Sequence, residues 1–346
     1  MGDGTVESGK LRVDGRKAGG PVSDYQPSTT SHQPTQAWQR FRGNRLAVIS
    51  TWVLSFVAGV VIGWPIVLKL AGFAGPKGAA LSQTYQPEKL SDDQFQPPNA
   101  KHWFGTDVHG RDLLSRVLYG AQISLLVGIV GAGVSLVIGV FWGAVAGYAG
   151  GRVDSAMMRF VDILYSLPSI IFVIVLITTV EDVWKKWLDA IGSPGLGKAA
   201  RLLFLFVGLG AVSWLTMARI VRGQVLSLRQ RAFVEASRAL GAGPAHILWR
   251  HIIPNTLGVV IVYLTLTVPA IILYESFLSY LGLGIQPPMA SWGSLIAEGA
   301  DQINPIRIYW WLIAFPGGLL VVTLLALNFL GDGLRDAWDV RGGVGS

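Results

Sequence analysis

Three features of this sequence are candidates for a catalytic or binding role: the histidines, a Gly-Lys motif near the start, and a carboxylate inside an apolar segment. Four histidines lie beyond residue 100, at His102, His109, His246 and His251. None has acidic residues at the spacing of metal ligands, so we interpret them as surface or interfacial residues and expect no metal site. No Ser, His and Asp set converges, and the lack of cysteine excludes thiol nucleophiles, thiolate metal sites and disulfides.

The Gly-Lys motif is the segment GTVESGK, residues 4–10, which matches the first seven positions of a phosphate-binding loop. Leu11 follows where the motif needs a Ser or Thr to reach magnesium, and no strand precedes the motif. We therefore interpret the match as chance and expect this chain to bind no cofactor. If a nucleotide powers its work, ATP and magnesium are bound by a separate subunit.

The carboxylate is Glu275, in the stretch ILYESFLSYLGLG. An ionisable group within a membrane helix is unfavourable and usually faces a polar interior or a cavity. Glu275 comes nineteen residues after Thr256, near the outer end of its apolar segment. Two interpretations stay open: a carboxylate that reaches interfacial water, and a polar group that lines the outer mouth of a pathway as an outer gate. For Asp162 in the third apolar segment, we expect an ion pair with Arg159 or Arg219.

Long apolar segments must position these residues. The chain of 346 residues is 51% hydrophobic and 14% charged, with a mean hydropathy of +0.47, whereas about a quarter of a soluble domain is charged. A run of about 20 apolar residues can cross a membrane, and inside lipid it must be helical. The sequence thus predicts an all-α polytopic membrane bundle with six transmembrane helices, at residues 46–70, 123–149, 157–180, 202–220, 256–281 and 309–330.

The basic residues predict the topology. Most arginines lie at alternate ends of the predicted spans, and the positive-inside rule places those ends in the cytoplasm. They are Arg40, Arg42, Arg45, Arg152, Arg159, Arg219, Arg222, Arg229, Arg231, Arg238, Arg250, Arg335 and Arg341. Both termini are then cytoplasmic in a bacterial plasma (inner) membrane. The net charge of +7 is explained by this arrangement, so the expected surroundings are membrane lipid and no nucleic acid.

The predicted organisation has five parts. Residues 1–37 form a disordered cytoplasmic tail, residues 38–70 a pre-helix and the first span, and residues 71–120 an extracytoplasmic segment. Residues 121–340 form a five-helix core with a cytoplasmic loop at 223–255, and residues 341–346 a short tail. We expect residues 74–98 to be irregular, residues 181–201 to be a loop, and Trp184, Trp187 and Trp292 to be interfacial anchors.

The motif FGTDVHGRD, residues 104–112, predicts a compact structural turn. We expect tight turns at Gly105 and Gly110, since glycine tolerates conformations that other residues avoid. Asp107 or Asp112 should pair with Arg111 or Arg116 and brace the outer end of the second span.

The loop between the fourth and fifth predicted spans contains EASRALGAGPAHILWRHIIP, residues 235–254. We expect one short helix over residues 231–240 and a second over 244–252, with Gly241 at the bend and Gly243 capping Pro244 in the first turn. Three small residues would let a partner approach closely: Ala236, Ser237 and Ala239. Docking into another protein and an interfacial amphipathic helix pair are the two open interpretations.

This stretch resembles the EAA loop of ABC importer permeases, through Glu235-Ala236-Ser237, Gly241 and Ile253-Pro254. The segments HWFGTDVHGRDLLSRVLYGAQISLLVG, ESFLSYLGLGIQPPMASWGSLIAEG and LNFLGDGLRDAWDV are similar to the second, "C" type permease of the dipeptide/oligopeptide and nickel branch. The resemblance covers residues 38–340. Ser237 departs from the usual Ala, which is nearly the same size.

The resemblance implies a type I ABC importer permease fold and a transport subunit rather than an enzyme. A homologous second permease would complete the path, two cytoplasmic ATPase subunits would bind ATP and magnesium, and an extracytoplasmic protein would deliver peptide. The residues implied in ATPase coupling are Glu235, Ala236, Ser237, Ala239, Gly241, Ala242, Ile253 and Pro254. The alternative is an ion-coupled secondary transporter of small solutes, which would need intramembrane charges and matched halves that the sequence lacks.

Overall fold

The computed structural model describes residues 34–190 and 197–338, and their regular structure is helical apart from one bridge between Thr106 and Asp112. The motif at residues 4–10 and the short tail at 341–346 lie outside this range. The helices are α1 (Pro34–Gly43), α2 (Arg45–Phe73), α3 (Pro76–Thr84), α4 (Leu113–Ala149), α5 (Gly151–Tyr165), α6 (Ser169–Ala190), α7 (Gly197–Leu228), α8 (Ala232–Ala239), α9 (Pro244–Ile247), α10 (Ile253–Tyr280), α11 (Trp292–Ala300) and α12 (Trp311–Trp338).

Helix α4 is the centre of the bundle and packs between α7 and α10. Its glycines lie at both contacts: a Cβ added at Gly139 would lie 2.6 Å from the Cβ of Met217 on α7. A Cβ added at Gly128 would lie 2.6 Å from Cγ1 of Ile272 on α10. Small residues allow membrane helices to approach closely and gain dispersion contacts, so the glycines of α4 hold three helices together as one body.

Four of the described helices are long and apolar enough to cross a membrane: α2, α4, the continuous run Pro244–Tyr280, and α12. These confirm the first, second, fifth and sixth predicted spans. Helix α7 covers the fourth predicted span, and the bent pair α5 and α6 makes a possible fifth span by length and composition. The count of six therefore stays a prediction.

The third predicted span, residues 157–180, is not one continuous helix. Helices α5 and α6 meet at 91°, because Pro168 lacks a backbone N–H and disfavours helical geometry at the residue before it. Helix α5 instead packs against α7 through two ion pairs. Arg222 donates from Nε and Nη2 to Asp154 at 2.5 and 2.7 Å, and Arg219 Nη2 donates to Asp162 at 2.7 Å. The expected pairing of Asp162 with Arg219 is confirmed, but Asp162 lies on α5 rather than inside a straight span.

Several helices extend beyond the predicted boundaries, and the expectation of irregular structure over residues 74–98 is wrong. Helix α3 forms within the segment expected to be irregular, with Pro76 in its first turn, where a missing N–H does no harm. Helix α1 begins at Pro34, inside the predicted tail, and α4 begins at Leu113, before the predicted boundary at 120. Helices α6 and α7 both extend into the predicted loop at 181–201, and α7 extends into the predicted loop at 223–255.

Candidate functional site

The predicted two-helix stretch forms an element that we call the α8–α9 element, residues 231–254. Helix α8 follows Arg231 as its N-cap, and Glu235 lies in its first turn. Gly241 has φ +84°, a conformation in which a side chain is strained. Gly243 is the N-cap of α9 and Pro244 occupies its first turn. The expected bend and cap are thus confirmed.

The second half of this element is not a separate helix, contrary to prediction. Helix α9 continues through a π turn, Leu248–Ile252, directly into α10, so Ile253 and Pro254 are the first residues of α10. Proline removes one helical N–H, and a π turn is a usual form of such local irregularity. The side chain of Asn255 donates to the carbonyl of His251 at 2.6 Å and so supplies a hydrogen-bond donor to a carbonyl of this turn. The result is one continuous helical run from the bend at Gly243 to Tyr280.

Apolar contacts fix the α8–α9 element to the bundle. Val234 of α8 is fully buried in a cluster with Ile247 and Ile252, and this cluster also contains Val221 and Val225 of α7. Burial of such side chains stabilises a contact by about 1.5–3 kcal/mol each. The element therefore moves with α7 and α10 rather than as an independent loop.

Arg229 adds a polar link to a third helix. Its Nη1 donates to the carbonyls of Gly147 and Tyr148, each at 3.2 Å. These carbonyls lie in the last turn of α4, where the helix dipole favours a positive charge. The ends of α4, α7 and α10 thus converge at the α8–α9 element.

The outer face of the element is exposed, and it contains most of the residues implied by the resemblance. Glu235, Ala236, Ala239, Gly241 and Pro254 are exposed, and Ser237 and Ala242 are half-buried. Ile253 is the exception among the predicted residues because it is buried in the apolar cluster. Its role is therefore in anchoring the element.

Three large apolar residues on this element were missed by the sequence analysis. Leu240 at the tip is 88% exposed, Trp249 is 59% exposed and Phe233 is 40% exposed. Large exposed apolar side chains of this kind are unusual on the surface of a soluble region and are candidates for contact with a partner. For Leu240, the sequence signal of exposure was its position directly before Gly241, at the predicted bend.

Glu275 lies at the opposite end of α10, far from this element in sequence. Its carboxylate is fully buried and accepts hydrogen bonds from Ser279 Oγ at 2.6 Å and Ser124 Oγ at 3.3 Å. Ser124 in turn accepts from the backbone N–H of Trp292 at 3.2 Å. The carboxylate therefore does not reach interfacial water in this chain, and it links α4 and α10 to the start of α11. The outer-gate role of Glu275 stays a prediction.

The motif at residues 104–112 folds as a compact polar unit. Gly105 and Gly110 have φ +78° and +69°. The carboxylate of Asp107 accepts from Arg111 Nε and Arg116 Nη1, each at 2.7 Å, which confirms the predicted pairing. Glu298 completes the unit, since Arg116 donates to its two oxygens at 2.5 and 2.9 Å. We call Asp107, Arg111, Arg116 and Glu298 the carboxylate–arginine cluster.

Asp112, His102 and Trp292 have structural positions that the sequence analysis did not anticipate. Asp112 caps α4 by accepting from Ser115 N at 2.9 Å, and it contacts His102 Nδ1 at 2.9 Å. Burial raises the pKa of the Asp112 carboxyl. His102 is buried rather than interfacial, so that interpretation is wrong for it. Trp292 is fully buried and donates to Val117 O at 3.2 Å, so it is not an interfacial anchor.

No group of three or more His, Cys, Asp or Glu side chains that could hold a metal ion occurs within residues 34–190 and 197–338. The polar clusters above are held by arginine, serine and backbone partners. Their contacts link α4 to α10 and α11.

Comparison with known proteins identifies the family. Residues 139–341 match the model of the binding-protein-dependent transport system inner membrane component, and residues 34–98 match the N-terminal transmembrane domain of oligopeptide transport permease C. The chain is 46% identical to the oligopeptide transport system permease protein OppC of Escherichia coli (strain K12) over 305 residues, which are 88% of this chain and 90% of that protein.

Two further relatives and one solved structure are similar to this chain. The identity is 42% to the dipeptide transport system permease protein DppC of Bacillus subtilis (strain 168), over 88% of this chain and 85% of that protein. It is 43% to OppC of Haemophilus influenzae, over 88% of each chain. A chain of the inward-facing MetNI methionine ABC transporter covers 66% of this chain at 22% identity, with a TM-score of 0.49, and 98% of that chain is covered.

The family match spans more than half of the chain and contains the α8–α9 element, α10 and α12. The relatives cover both this region and the helices that precede it. The resemblance seen in the motifs is thereby confirmed, together with the all-α permease fold that it implies. The chain belongs to the family of inner-membrane components of binding-protein-dependent transport systems.

Proposed function

We propose that this chain is one permease subunit of an ATP-driven peptide importer. The names of the relatives support the substrate, since they are oligopeptide and dipeptide permeases. The chain forms the path together with a second, homologous permease. Two ATPase subunits bind ATP and magnesium in the cytoplasm, and an extracytoplasmic binding protein delivers the peptide. This chain makes no covalent bonds itself.

The observation that carries the proposal is the α8–α9 element. Its exposed face presents Leu240 and Glu235, while Val234 and Arg229 tie it to α7 and α4. A surface that is open to a partner and rigidly joined to three helices suits the transfer of motion from an ATPase to the path. The largely exposed Leu240 supplies an apolar anchor and Glu235 a charge for that partner.

The proposed orientation follows from the same assignment. The α8–α9 element and both termini lie in the cytoplasm, and the carboxylate–arginine cluster lies on the opposite side, where the binding protein docks. Glu275 then lies toward the outer end of the bundle, as the outer-gate prediction requires. An ion-coupled transporter is not favoured, because the family is described as a component of binding-protein-dependent transport systems and the relatives are named as permeases of such systems for oligopeptides and dipeptides.

A cysteine-free chain allows a direct test of the proposed contact. In complexes with the partner permease, Leu240→Cys should form a cross-link to an ATPase subunit that carries a cysteine in its docking groove. Leu273→Cys is the matched control, since Leu273 is also exposed but lies on α10 away from the element.

Transport is tested in proteoliposomes that contain the whole complex and the binding protein. Uptake of a labelled tripeptide should require ATP and continue when the membrane potential is collapsed. Uptake that stops with the potential while ATP remains, or equal cross-linking at positions 240 and 273, would contradict the proposal.

A further inference from the structure

A cavity of about 530 Å³ lies between the α5–α6 bend, α7 and α10. Its lining combines apolar side chains with hydroxyl groups from four helices, and among the described residues no Asp, Glu, Lys, Arg or His lines it. The hydroxyl residues are Tyr165, Ser169, Ser213, Thr216, Tyr263, Thr267 and Tyr274. We call this cavity the hydroxyl chamber.

The hydroxyls of the chamber are incompletely used by the chain itself. Thr267 donates to the carbonyl of Tyr263 at 2.7 Å, which leaves its oxygen free to accept. The hydroxyls of Thr216, Tyr263 and Tyr274 form no hydrogen bond within the described residues. A hydroxyl transferred into an apolar medium without a partner is destabilising, so lipid tails are a poor occupant of this chamber.

A second cavity of the same chain has an apolar lining that is compatible with lipid tails. It has a volume of about 380 Å³, lies between α2, α4 and α12, and is lined only by apolar residues such as Val57, Leu118 and Val322. The two cavities lie between different sets of helices. Their chemistry differs, so the hydroxyls of the first cavity are not a general property of this membrane surface.

One ion pair, Arg219 with Asp162, stands at the edge of the chamber. Arg219 stacks over the ring of Tyr165, a lining residue, with its Cζ 4.1 Å from the ring centroid. The same guanidinium donates to Asp162 at 2.7 Å. A solute in the chamber therefore meets hydroxyls and aromatic edges rather than a fixed charge.

We propose that the hydroxyl chamber is a wall of the transport path and binds the backbone of the passing peptide. A hydroxyl both donates and accepts, as the N–H and C=O groups of a peptide require. Because no fixed charge lines the wall, acidic and basic peptide side chains are treated alike. This inference rests on the proposed function and adds the chemical feature that is recognised: the peptide backbone and not side-chain charge.

The first test introduces a charge into the chamber. In proteoliposomes with the complete complex and its binding protein, Thr267→Asp should raise the import rate of a Lys-containing tripeptide relative to a Glu-containing one. The expected change in that ratio is about tenfold, since opposite charges near a protein surface attract appreciably. The control is Thr267→Asn, whose side chain has the size and shape of Asp without the charge, and it should leave the ratio at its wild-type value. An unchanged ratio in an assembled Thr267→Asp complex would overturn the proposal.

The second test does not depend on the stability of a charged variant. Thr216→Cys should react with a small, water-soluble thiol reagent in the assembled complex, and saturating peptide during ATP turnover should slow that reaction about threefold or more, as a contact of one or two hydrogen bonds would. Val322→Cys, in the apolar cavity, should react slowly with or without peptide. A Thr216→Cys complex whose new thiol does not react, or forms a disulfide with the partner permease, would show a helix interface and overturn the proposal.

The two levels of inference fail in different ways. If the wild-type complex imports no peptide, the proposed function fails, whatever the reactivity of the Thr216→Cys variant. If wild-type import is normal and peptide does not protect the thiol of that variant, only the backbone-binding role of the chamber fails.

Discussion

The two polar regions at opposite ends of α4 are built in opposite ways. The carboxylate–arginine cluster is closed: Arg116 and Asp107 are 3% and 4% exposed, and each finds its partners inside the chain. The α8–α9 element is open: Leu240 is 88% exposed, and Glu235 has no ion-pair partner among the described residues. Both regions contain Gly turns and charged side chains, so sequence composition alone does not separate them.

The difference shows how a subunit divides its polar residues between its own fold and its partners. Buried charges are stable only when paired and hydrogen-bonded, so the closed cluster is a fixed joint between α4 and α11. Exposed charges and apolar tips add little to the stability of this chain. They are available for binding energy with another subunit, and the comparison therefore predicts which substitutions affect folding and which affect only coupling.

The largest effect is expected in the closed cluster. Arg116→Ala leaves Asp107 and Glu298 with one fewer partner, and breaking such a buried pair typically destabilises by about 3–5 kcal/mol. The yield of folded chain and the Tm of the purified complex should both fall. Arg111→Ala should act in the same direction but less strongly, because Glu298 also accepts from Arg116. An intact Arg116→Ala complex with normal Tm that fails to transport would show a binding role instead.

A smaller effect on stability and a large effect on coupling are expected at Gly241. Gly241→Asp places a side chain at φ +84° and adds bulk to an exposed turn. Among the described residues other than its chain neighbours, no atom lies within 4 Å of the added Cβ, so the chain should still insert and pair with its partner permease. Co-purification of the ATPase, and hydrolysis stimulated by the loaded binding protein, should both decline.

The matched control for this variant is Gly243→Ala. Gly243 is also exposed and has no atom within 4 Å of an added Cβ, but its φ is −69°. It should keep most of the ATPase binding. If Gly241→Asp behaved as wild type in both assays, the α8–α9 element would not be the contact with the ATPase, and the proposed difference between the two ends of α4 would be wrong.

A pH effect is expected at Asp112, which caps α4 beside the closed cluster. Burial raises the pKa of this carboxyl in the folded chain, so the folded chain favours the protonated, neutral form. The stability that this preference contributes is fully present below the pKa of the unfolded chain, and it is lost as pH rises through the pKa of the folded chain. The Tm of the wild-type complex should therefore decline with rising pH across the acidic range relative to Asp112→Asn, which keeps a capping oxygen. Parallel Tm curves for the two proteins would contradict this assignment.

The smallest effect is expected for Glu235→Ala. One exposed charge pair with a partner contributes about 0–1 kcal/mol, so ATPase binding should weaken only a few-fold while the Tm of the permease pair stays unchanged. Titration of the purified ATPase against the variant complex measures this change. A loss as large as that of Gly241→Asp would mean that Glu235 is buried in the assembled contact.

The sequence predicted those features that depend on neighbouring residues. Apolar runs located four spans, and Gly241-Ala242-Gly243-Pro244 predicted a bend and cap. The motif at residues 104–112 predicted that Asp107 or Asp112 pairs with Arg111 or Arg116, and Asp107 pairs with both arginines. Contacts between distant segments were missed: Glu298 is 182 positions from Arg116 and reaches it only after α11 packs against α4. The bend at Pro168 was missed because apolar residues flank it on both sides, and hydropathy carries no information on helix direction.

The continuous helical run Pro244–Tyr280 connects the α8–α9 element to the end of the bundle that contains Glu275. Its 37 residues span about 55 Å at about 1.5 Å per residue, so a tilt of about 5° about the midpoint shifts each end by about 2.4 Å, in opposite directions. One end of the run begins after the bend at Gly243, and the other end carries Glu275 with its hydrogen-bond donors Ser279 and Ser124. In the proposed importer, a displacement imposed at one end of this run would therefore shift the other end in the opposite direction, as opening one side of the path while closing the other requires.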